Sequence, residues 1–129
     1  MKKMALVSLI LMLSTGLAFA KDYTVTKKAG VYTLQISVDK NPSAVGKNRM
    51  EIGIKDMTES PVVNAVVSVE YAMPAMPGMG AMNYKAKGQL VGSRYVADLD
   101  FSMPGSWNVN IKITRNGKTQ TAKLNIDVQ

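Results

Sequence analysis

Apolar and polar residues alternate with a period of two along most of this chain, and this period is typical of strands that bury one face. Clusters of turn-forming residues interrupt the alternation at regular intervals, and Asn116-Gly117 is the strongest hairpin signal among them. The segments between the turns place the following apolar side chains on the predicted inner face: Val25, Leu34, Ile36, Val38, Met50, Ile52, Ile54, Val63, Ala65, Val67, Val69, Tyr71, Tyr95, Ala97, Leu99, Phe101, Trp107, Val109, Ile111, Ile113, Ala122, Leu124 and Ile126.

Seven or eight short strands, with no helical period between them, predict an all-β fold built as an antiparallel β-sandwich. Asn83 to Gln89 is a short and polar member of this set. Trp107 is the single tryptophan and lies in the inward register, so we expect it to anchor the core. A closed barrel is the alternative architecture, because it also accommodates a series of strands with alternating faces.

The first twenty residues differ from the rest of the chain. Two lysines precede an apolar run from Met4 to Leu13, and Ala18-Phe19-Ala20 has the form of a signal-peptide cleavage site. A membrane anchor is the alternative, but the apolar run is too short to span a bilayer comfortably. We therefore expect residues 1–20 to be a cleaved signal peptide, and residues 21–129 to form one domain in the periplasm or outside the cell.

The charge of the chain is moderately basic. Its 129 residues carry a formal net charge of +7, which falls to +5 when Lys2 and Lys3 leave with the signal peptide. The basic residues are spread along the chain and form no stripe interleaved with aromatic residues, so we expect no nucleic-acid partner. Such a surface favours an acidic protein partner or an anionic lipid.

Histidine and cysteine are both absent from the sequence. Their absence excludes Ser-His-Asp and Cys-His catalysis, ordinary zinc sites and disulfide bonds. Asp56 and Glu59 lie in one polar turn, but two carboxylates without a dense ligand loop are a weak indication of calcium. We expect that the protein is not an enzyme and takes no small-molecule substrate.

The most unusual segment places four methionines three residues apart among proline, glycine and alanine. A thioether is a soft donor that needs no deprotonation, and it prefers Cu(I) or Ag(I) to Zn(II) or Cu(II). Along an extended polyproline path, successive methionines lie about 9 Å apart. Glycine allows the segment to fold back, so that two or three sulfurs converge. The candidate metal ligands are Met73, Met76, Met79, Met82 and, from a second Met-Pro-Gly turn, Met103.

Two other interpretations of these methionines remain open. Met73 and Met103 continue the inward registers of their strands, so they are suited to capping the end of the hydrophobic core. Met76, Met79 and Met82 are suited to an adaptable apolar patch that contacts a partner, because methionine side chains are flexible.

Five short segments follow one another in a distinctive order: Gly46-Lys47-Asn48, Pro61-Val62-Val63-Asn64-Ala65, Met73-Pro74-Ala75-Met76-Pro77-Gly78-Met79, Tyr95-Val96-Ala97 and Phe101-Ser102-Met103-Pro104-Gly105-Ser106-Trp107. Taken together over residues 44–127, they resemble the YtkA-like domain, which is related to the FixH-like exported proteins. The resemblance implies an immunoglobulin-like sandwich. It also implies an extracytoplasmic accessory role in copper handling, heavy-metal efflux or oxidase assembly.

The resemblance also assigns positions to the methionines. Met73, Met76 and Met79 occupy the family's Met-Pro-Met segment, and Met103 occupies the methionine before its Gly-x-Trp turn. Relatives often place histidine beside these methionines, and this chain has none. What is left is a sulfur-only site of the Cu(I) type.

From these observations we expect a protein that binds or delivers Cu(I) or Ag(I) through the methionine-rich loop at 73–82. It would be an accessory to metal efflux or oxidase assembly. The alternative is a non-enzymatic interaction module that docks onto a membrane efflux or respiratory complex through the same loop and binds no metal. Replacing Met76, Met79 and Met82 by leucine separates the two, because leucine keeps the apolar contact and lacks the sulfur.

Overall fold

A computed structural model of the protein describes residues 23–40 and 43–129, so the expected signal peptide lies outside the described residues. Nine strands are formed within these two ranges: β1 Tyr23–Ala29, β2 Tyr32–Val38, β3 Gly46–Lys55, β4 Val66–Met73, β5 Met82–Lys87, β6 Gln89–Val91, β7 Arg94–Phe101, β8 Gly105–Arg115 and β9 Lys118–Val128. A five-stranded sheet has the order β1-β2-β3-β7-β6, and a four-stranded sheet has the order β5-β4-β8-β9. Neighbouring strands in both sheets run antiparallel, which confirms the predicted sandwich.

The core lies between the two sheets and is built from every second residue of the long strands. In β8 and β7, for example, the odd-numbered residues from Trp107 to Ile113 and from Tyr95 to Phe101 are buried. Trp107 is completely buried, as its register predicts. In the part of the chain that the structure covers, no helix is long and apolar enough to cross a bilayer.

Two buried tyrosines tie the sheets together through their hydroxyl groups. The hydroxyl of Tyr71, on β4, accepts a hydrogen bond from the backbone N–H of Asp100, on β7, at 3.0 Å. The hydroxyl of Tyr95, also on β7, accepts one from the backbone N–H of Ala65 at 3.1 Å, just before β4 begins. Each bond satisfies a polar group at the edge of the core and fixes the position of one sheet against the other.

The strand count of seven or eight is too low, because the predicted strand from Asn83 to Gln89 is divided between the two sheets. Gly88 separates β5 from β6, and its N–H donates to the carbonyl of Val67 at 2.8 Å. A Cβ at position 88 would lie 3.1 Å from the Val67 side chain. This close approach lets the chain leave the four-stranded sheet at Gly88 and join the five-stranded sheet as β6.

The expected inward position of Val63 is also wrong. Val62 is buried instead, and its N–H donates to the carbonyl of Ile54 at 2.8 Å, whereas Val63 is 46% exposed. Pro61 forms an isolated bridge with Lys55, and the segment from 61 to 65 is an irregular connection between β3 and β4. The alternation of buried and more exposed residues in β4 starts only after this segment.

Candidate metal site at the methionine hairpin

The methionine-rich segment forms the tip of the hairpin that joins β4 to β5. Met73 lies opposite Met82 at the end of the regular ladder, and Met76 lies opposite Met79 at the tip. The second pair continues the register of the first, because three steps forward on one strand match three steps back on the other. The structure thus brings four of the predicted residues together as two cross-strand pairs.

A tight turn creates the outer pair. The N–H of Met76 donates to the carbonyl of Met79 at 2.9 Å, and the N–H of Met79 donates to the carbonyl of Met76 at 2.8 Å. Between them, Pro77 and Gly78 occupy the central positions of the turn, and the φ of +83° at Gly78 fits a type II turn. Residues that exchange both hydrogen bonds have Cα atoms about 5.5 Å apart. Between Met76 and Met79, the extended path with a spacing of about 9 Å is therefore wrong, and the fold-back is what forms.

The two pairs differ in their side of the hairpin and in exposure. An odd number of steps separates Met73 from Met76, so regular alternation places the pairs on opposite sides. Met73 is 3% exposed, whereas Met76 and Met79 are 40% and 42% exposed. Met73 therefore supports the core-cap interpretation, and the outer pair is partly open to solvent.

Met73 packs against the turn that precedes β8. A Cβ added to Gly105 would lie 2.8 Å from the Met73 methyl carbon and 3.9 Å from its sulfur. Met103, in the same turn, is partly buried against the core, and its carbonyl accepts a hydrogen bond from Trp107 Nε1 at 3.0 Å. The second Met-Pro-Gly turn therefore lies against Met73, through Gly105.

Among the predicted ligands, Met82 is the one whose sulfur contacts hydroxyl groups. Ser102 Oγ donates to Met82 Sδ at 3.4 Å, and Tyr84 Oη approaches the same sulfur at 3.9 Å. The two hydroxyl oxygens are 3.3 Å apart. The sequence analysis did not identify Ser102 and Tyr84 as neighbours of the Met82 sulfur. The Ser102–Met82 contact joins β5 to the loop after β7, and no local sequence pattern predicts it.

An aromatic cluster adjoins the inner pair, with Tyr71, Phe101 and Trp107 buried and Tyr84 partly exposed at the edge. Tyr71 and Tyr84 stack with ring centroids 5.5 Å apart, and Trp107 lies 6.0 Å from Tyr71 and 5.3 Å from Phe101. Because side chains two residues apart share a face, Tyr71 adjoins Met73 and Tyr84 adjoins Met82. The inner pair thus rests on a closely packed aromatic floor.

The Asp56 carboxylate of the polar turn at 56–60 has local structural partners. The Asp56 carboxylate accepts hydrogen bonds from the hydroxyl and backbone N–H of Thr58 and from the backbone N–H of Ser60. The Thr58 hydroxyl makes the largest contribution to lowering the pKa of Asp56. Across residues 23–40 and 43–129, no three His, Cys, Asp or Glu residues form a group that could hold a metal ion.

A protein-family model described as YtkA-like matches residues 26–112, so the match begins and ends earlier than the expected 44–127. A search among curated proteins gives no match. Among solved structures, the chain is similar to the crystal structure of the PmoD soluble domain from Methylocystis sp. ATCC 49242 (Rockwell), with 13% sequence identity and a TM-score of 0.54. The similarity covers 81% of this chain and 97% of that one, and at this identity it concerns the fold.

Proposed function

The chain belongs to the YtkA-like family, and on that premise we propose that it binds Cu(I) or Ag(I) through the outer methionine pair, Met76 and Met79. It acts outside the cytoplasm as a non-enzymatic accessory to metal efflux or oxidase assembly. The observation that carries the proposal is the Pro77-Gly78 turn, which sets the two methionines directly opposite each other.

The chemistry of the outer pair suits a soft, monovalent ion. Two thioethers are neutral at every pH, so they add no charge and favour ions of low charge such as Cu(I) and Ag(I). Both side chains are about two-fifths exposed, so an ion can reach them without opening the core. An accessible site with two soft donors also allows an ion to be passed on, which a delivery role requires.

The other three predicted ligands have different parts in this proposal. Met73 packs beneath the hairpin and is not a ligand, because its buried thioether would have to leave the core to bind an ion. Met82 and Met103 are partly buried on the inner side, where Ser102 contacts the Met82 sulfur. They hold the hairpin against the turn before β8 and so keep the outer pair in place.

The experiment is an anaerobic titration of the purified protein with Cu(I) in competition with a chromogenic chelator. We expect about one tightly held equivalent for the parent, as a single soft-donor site requires. The variant Met76→Leu/Met79→Leu/Met82→Leu should fold normally and lose this binding. Met76→Leu/Met79→Leu should lose as much as the triple variant, and Met82→Leu alone should retain most of it.

A matched control is Met57→Leu, which removes an exposed methionine (77% exposed) from the distant turn at 56–60. It should bind Cu(I) as the parent does. A parent that cannot compete with the chelator, or a triple variant that binds as well as the parent, contradicts the proposal.

The exposed apolar surface of the hairpin supports the second candidate, an interaction module without metal. Met76 and Met79 are large hydrophobic side chains with 40% and 42% exposure at the tip of the hairpin. Under this alternative, the leucine variants keep their affinity for a membrane efflux or respiratory complex, because leucine preserves the apolar contact. Under the metal proposal, they lose the ability to transfer the ion.

A further inference from the structure

The outward face of the four-stranded sheet carries four lysines, which we call the lysine face. Lys85 and Lys87 stand on β5, Lys112 on β8 and Lys123 on β9. Cross-strand pairing aligns them in two adjacent rows: Lys85, Glu70, Asn110 and Lys123 form one, and Lys87, Ser68, Lys112 and Thr121 form the other. Four side chains with long, flexible stems therefore point away from the core on one face of the sheet.

Few acidic groups compensate this charge. Glu70 lies within the face and pairs with Lys112 at 3.2 Å. Asp127 stands at the far end of β9, opposite Ser106. Among the residues that the structure describes, no carboxylate lies within ion-pair distance of Lys85, Lys87 or Lys123.

On the outward face of the five-stranded sheet, charges of opposite sign alternate across β3 and β7, whereas Lys28 and Lys55 flank Thr33 at one end of the face without a recognised ion pair among the described residues. Arg94 pairs with Glu51 at 3.4 Å, and Arg49 pairs with Asp98 at 3.8 Å. A third opposed pair is formed by Lys47 and Asp100, which face each other in the ladder. Three of the four lysines of the lysine face have no carboxylate within ion-pair distance among the described residues, so their charge is available to an anionic surface.

An apolar groove runs beside two of the lysines. It has a volume of about 410 Å³ and is lined by Val66, Val67, Ser68, Lys85 and Lys87. Val66 occupies an outward position of β4 and is 62% exposed. The exposed Val66 side chain beside two lysines matches the boundary between an anionic headgroup and its acyl chains.

We propose that the lysine face binds the surface of an anionic phospholipid bilayer. Its outward positions hold, besides lysine, Ser, Thr, Asn, Ala, Val, Glu and Asp, and include neither arginine nor an aromatic residue. Protein interfaces are enriched in arginine and aromatic residues and depleted in lysine. Dispersed point charges suit many weakly fixed phosphates better than one defined set of carboxylates. This proposal does not rest on metal binding.

The test is flotation with vesicles of phosphatidylcholine alone and with vesicles that contain about one-third phosphatidylglycerol. We expect the exported, purified protein to bind the anionic vesicles and not the neutral ones. Raising the salt concentration from about 0.02 M to about 0.5 M should release it, because the Debye length falls severalfold. Each lysine near an anionic surface strengthens binding about fivefold, so Lys85→Gln/Lys87→Gln should bind about 30-fold more weakly.

The matched control is Lys28→Gln/Lys55→Gln, which removes the same charge from two exposed lysines of the five-stranded sheet. It should bind within about twofold of the parent, because these lysines face away from the bilayer. Whatever residues 1–22 contribute is common to all variants and cancels in the comparison. The proposal is overturned if the parent does not bind anionic vesicles at low salt. It is also overturned if both double variants lose vesicle affinity equally.

Discussion

The methionine hairpin contains two pairs of the same residue, at the same sequence spacing, in two different environments. Met73 and Met82 pair on the side that faces the core, whereas Met76 and Met79 pair at the exposed tip. The difference comes from the parity of the three-residue spacing, since an odd step changes sides in an extended strand. Methionines at a regular spacing therefore do not necessarily belong to one set of metal ligands.

The two methionine pairs have different roles because their environments differ. The inner pair rests on the aromatic floor, and Met73 also fills the space left by Gly105, so its sulfur contributes to packing. The outer pair has solvent on its open side and is held by two backbone hydrogen bonds of the turn. Stability should therefore depend on the inner pair, and exchange with the surroundings should depend on the outer pair.

The largest expected effect is on stability and tests the inner pair. Met73→Ala should lower the free energy of unfolding by about 2–5 kcal/mol, because truncation of a buried methionine leaves a cavity. Met76→Ala and Met79→Ala should each change it by less than about 0.5 kcal/mol, as expected of exposed positions. Urea denaturation, followed by the fluorescence of Trp107, measures all three.

The contrast fails if the outer variants lose as much stability as Met73→Ala. That result would mean that the tip packs on the core as firmly as the inner pair does. A metal titration of Met73→Ala at temperatures where it stays folded completes the test, and we expect Cu(I) binding close to that of the parent.

The next effect tests the turn that makes the outer pair. Gly78→Ala places a Cβ on a residue with φ of +83°, which costs about 1 kcal/mol locally. The tip should fray, so the amides of Met76 and Met79 should exchange faster with solvent and Cu(I) affinity should fall. Because the tip is exposed, the midpoint of global unfolding should move little.

Gly80→Ala is the matched control for this variant. Gly80 lies in the same hairpin, does not have a positive φ, and a Cβ there would meet nothing within 4 Å. It should leave amide exchange and Cu(I) affinity unchanged. If both variants lost amide protection and Cu(I) affinity equally, the general stiffness of the loop, and not the turn, would hold the two methionines opposite each other.

The alternation predicts the sandwich because a period of two depends only on which side of a strand each residue faces. Trp107 and Met50 are fully buried for this reason. The prediction is wrong at Gly88 and Val63. At Gly88 the deciding contact is with Val67, twenty-one residues earlier, and at Val63 the bridge between Lys55 and Pro61 interrupts the alternation before β4.

The candidate site was predictable in its residue types and not in its pairing. Proline favours both an extended path and the first central position of a type II turn, so Pro77 alone fits either geometry. The Met82–Ser102 contact links positions twenty residues apart and depends on how the two sheets stack. Sequence therefore indicates which atoms are available, and the register of the hairpin determines which of them meet.

The smallest effect concerns the hydroxyl that contacts the inner pair. Ser102→Ala removes the 3.4 Å contact to Met82 Sδ and should change stability by less than about 0.5 kcal/mol, because Ser102 is exposed. The Met82 methyl resonance should nevertheless shift, since its sulfur loses a hydrogen-bond donor. If Met82 took part in binding, freeing its lone pair would raise the Ag(I) affinity of this variant above that of the parent. Because we place the ion on the outer pair, we expect the Ag(I) affinity to stay the same. The control is Ser106→Ala, in the outward register of β8, which should leave both the Met82 methyl resonance and the Ag(I) affinity unchanged.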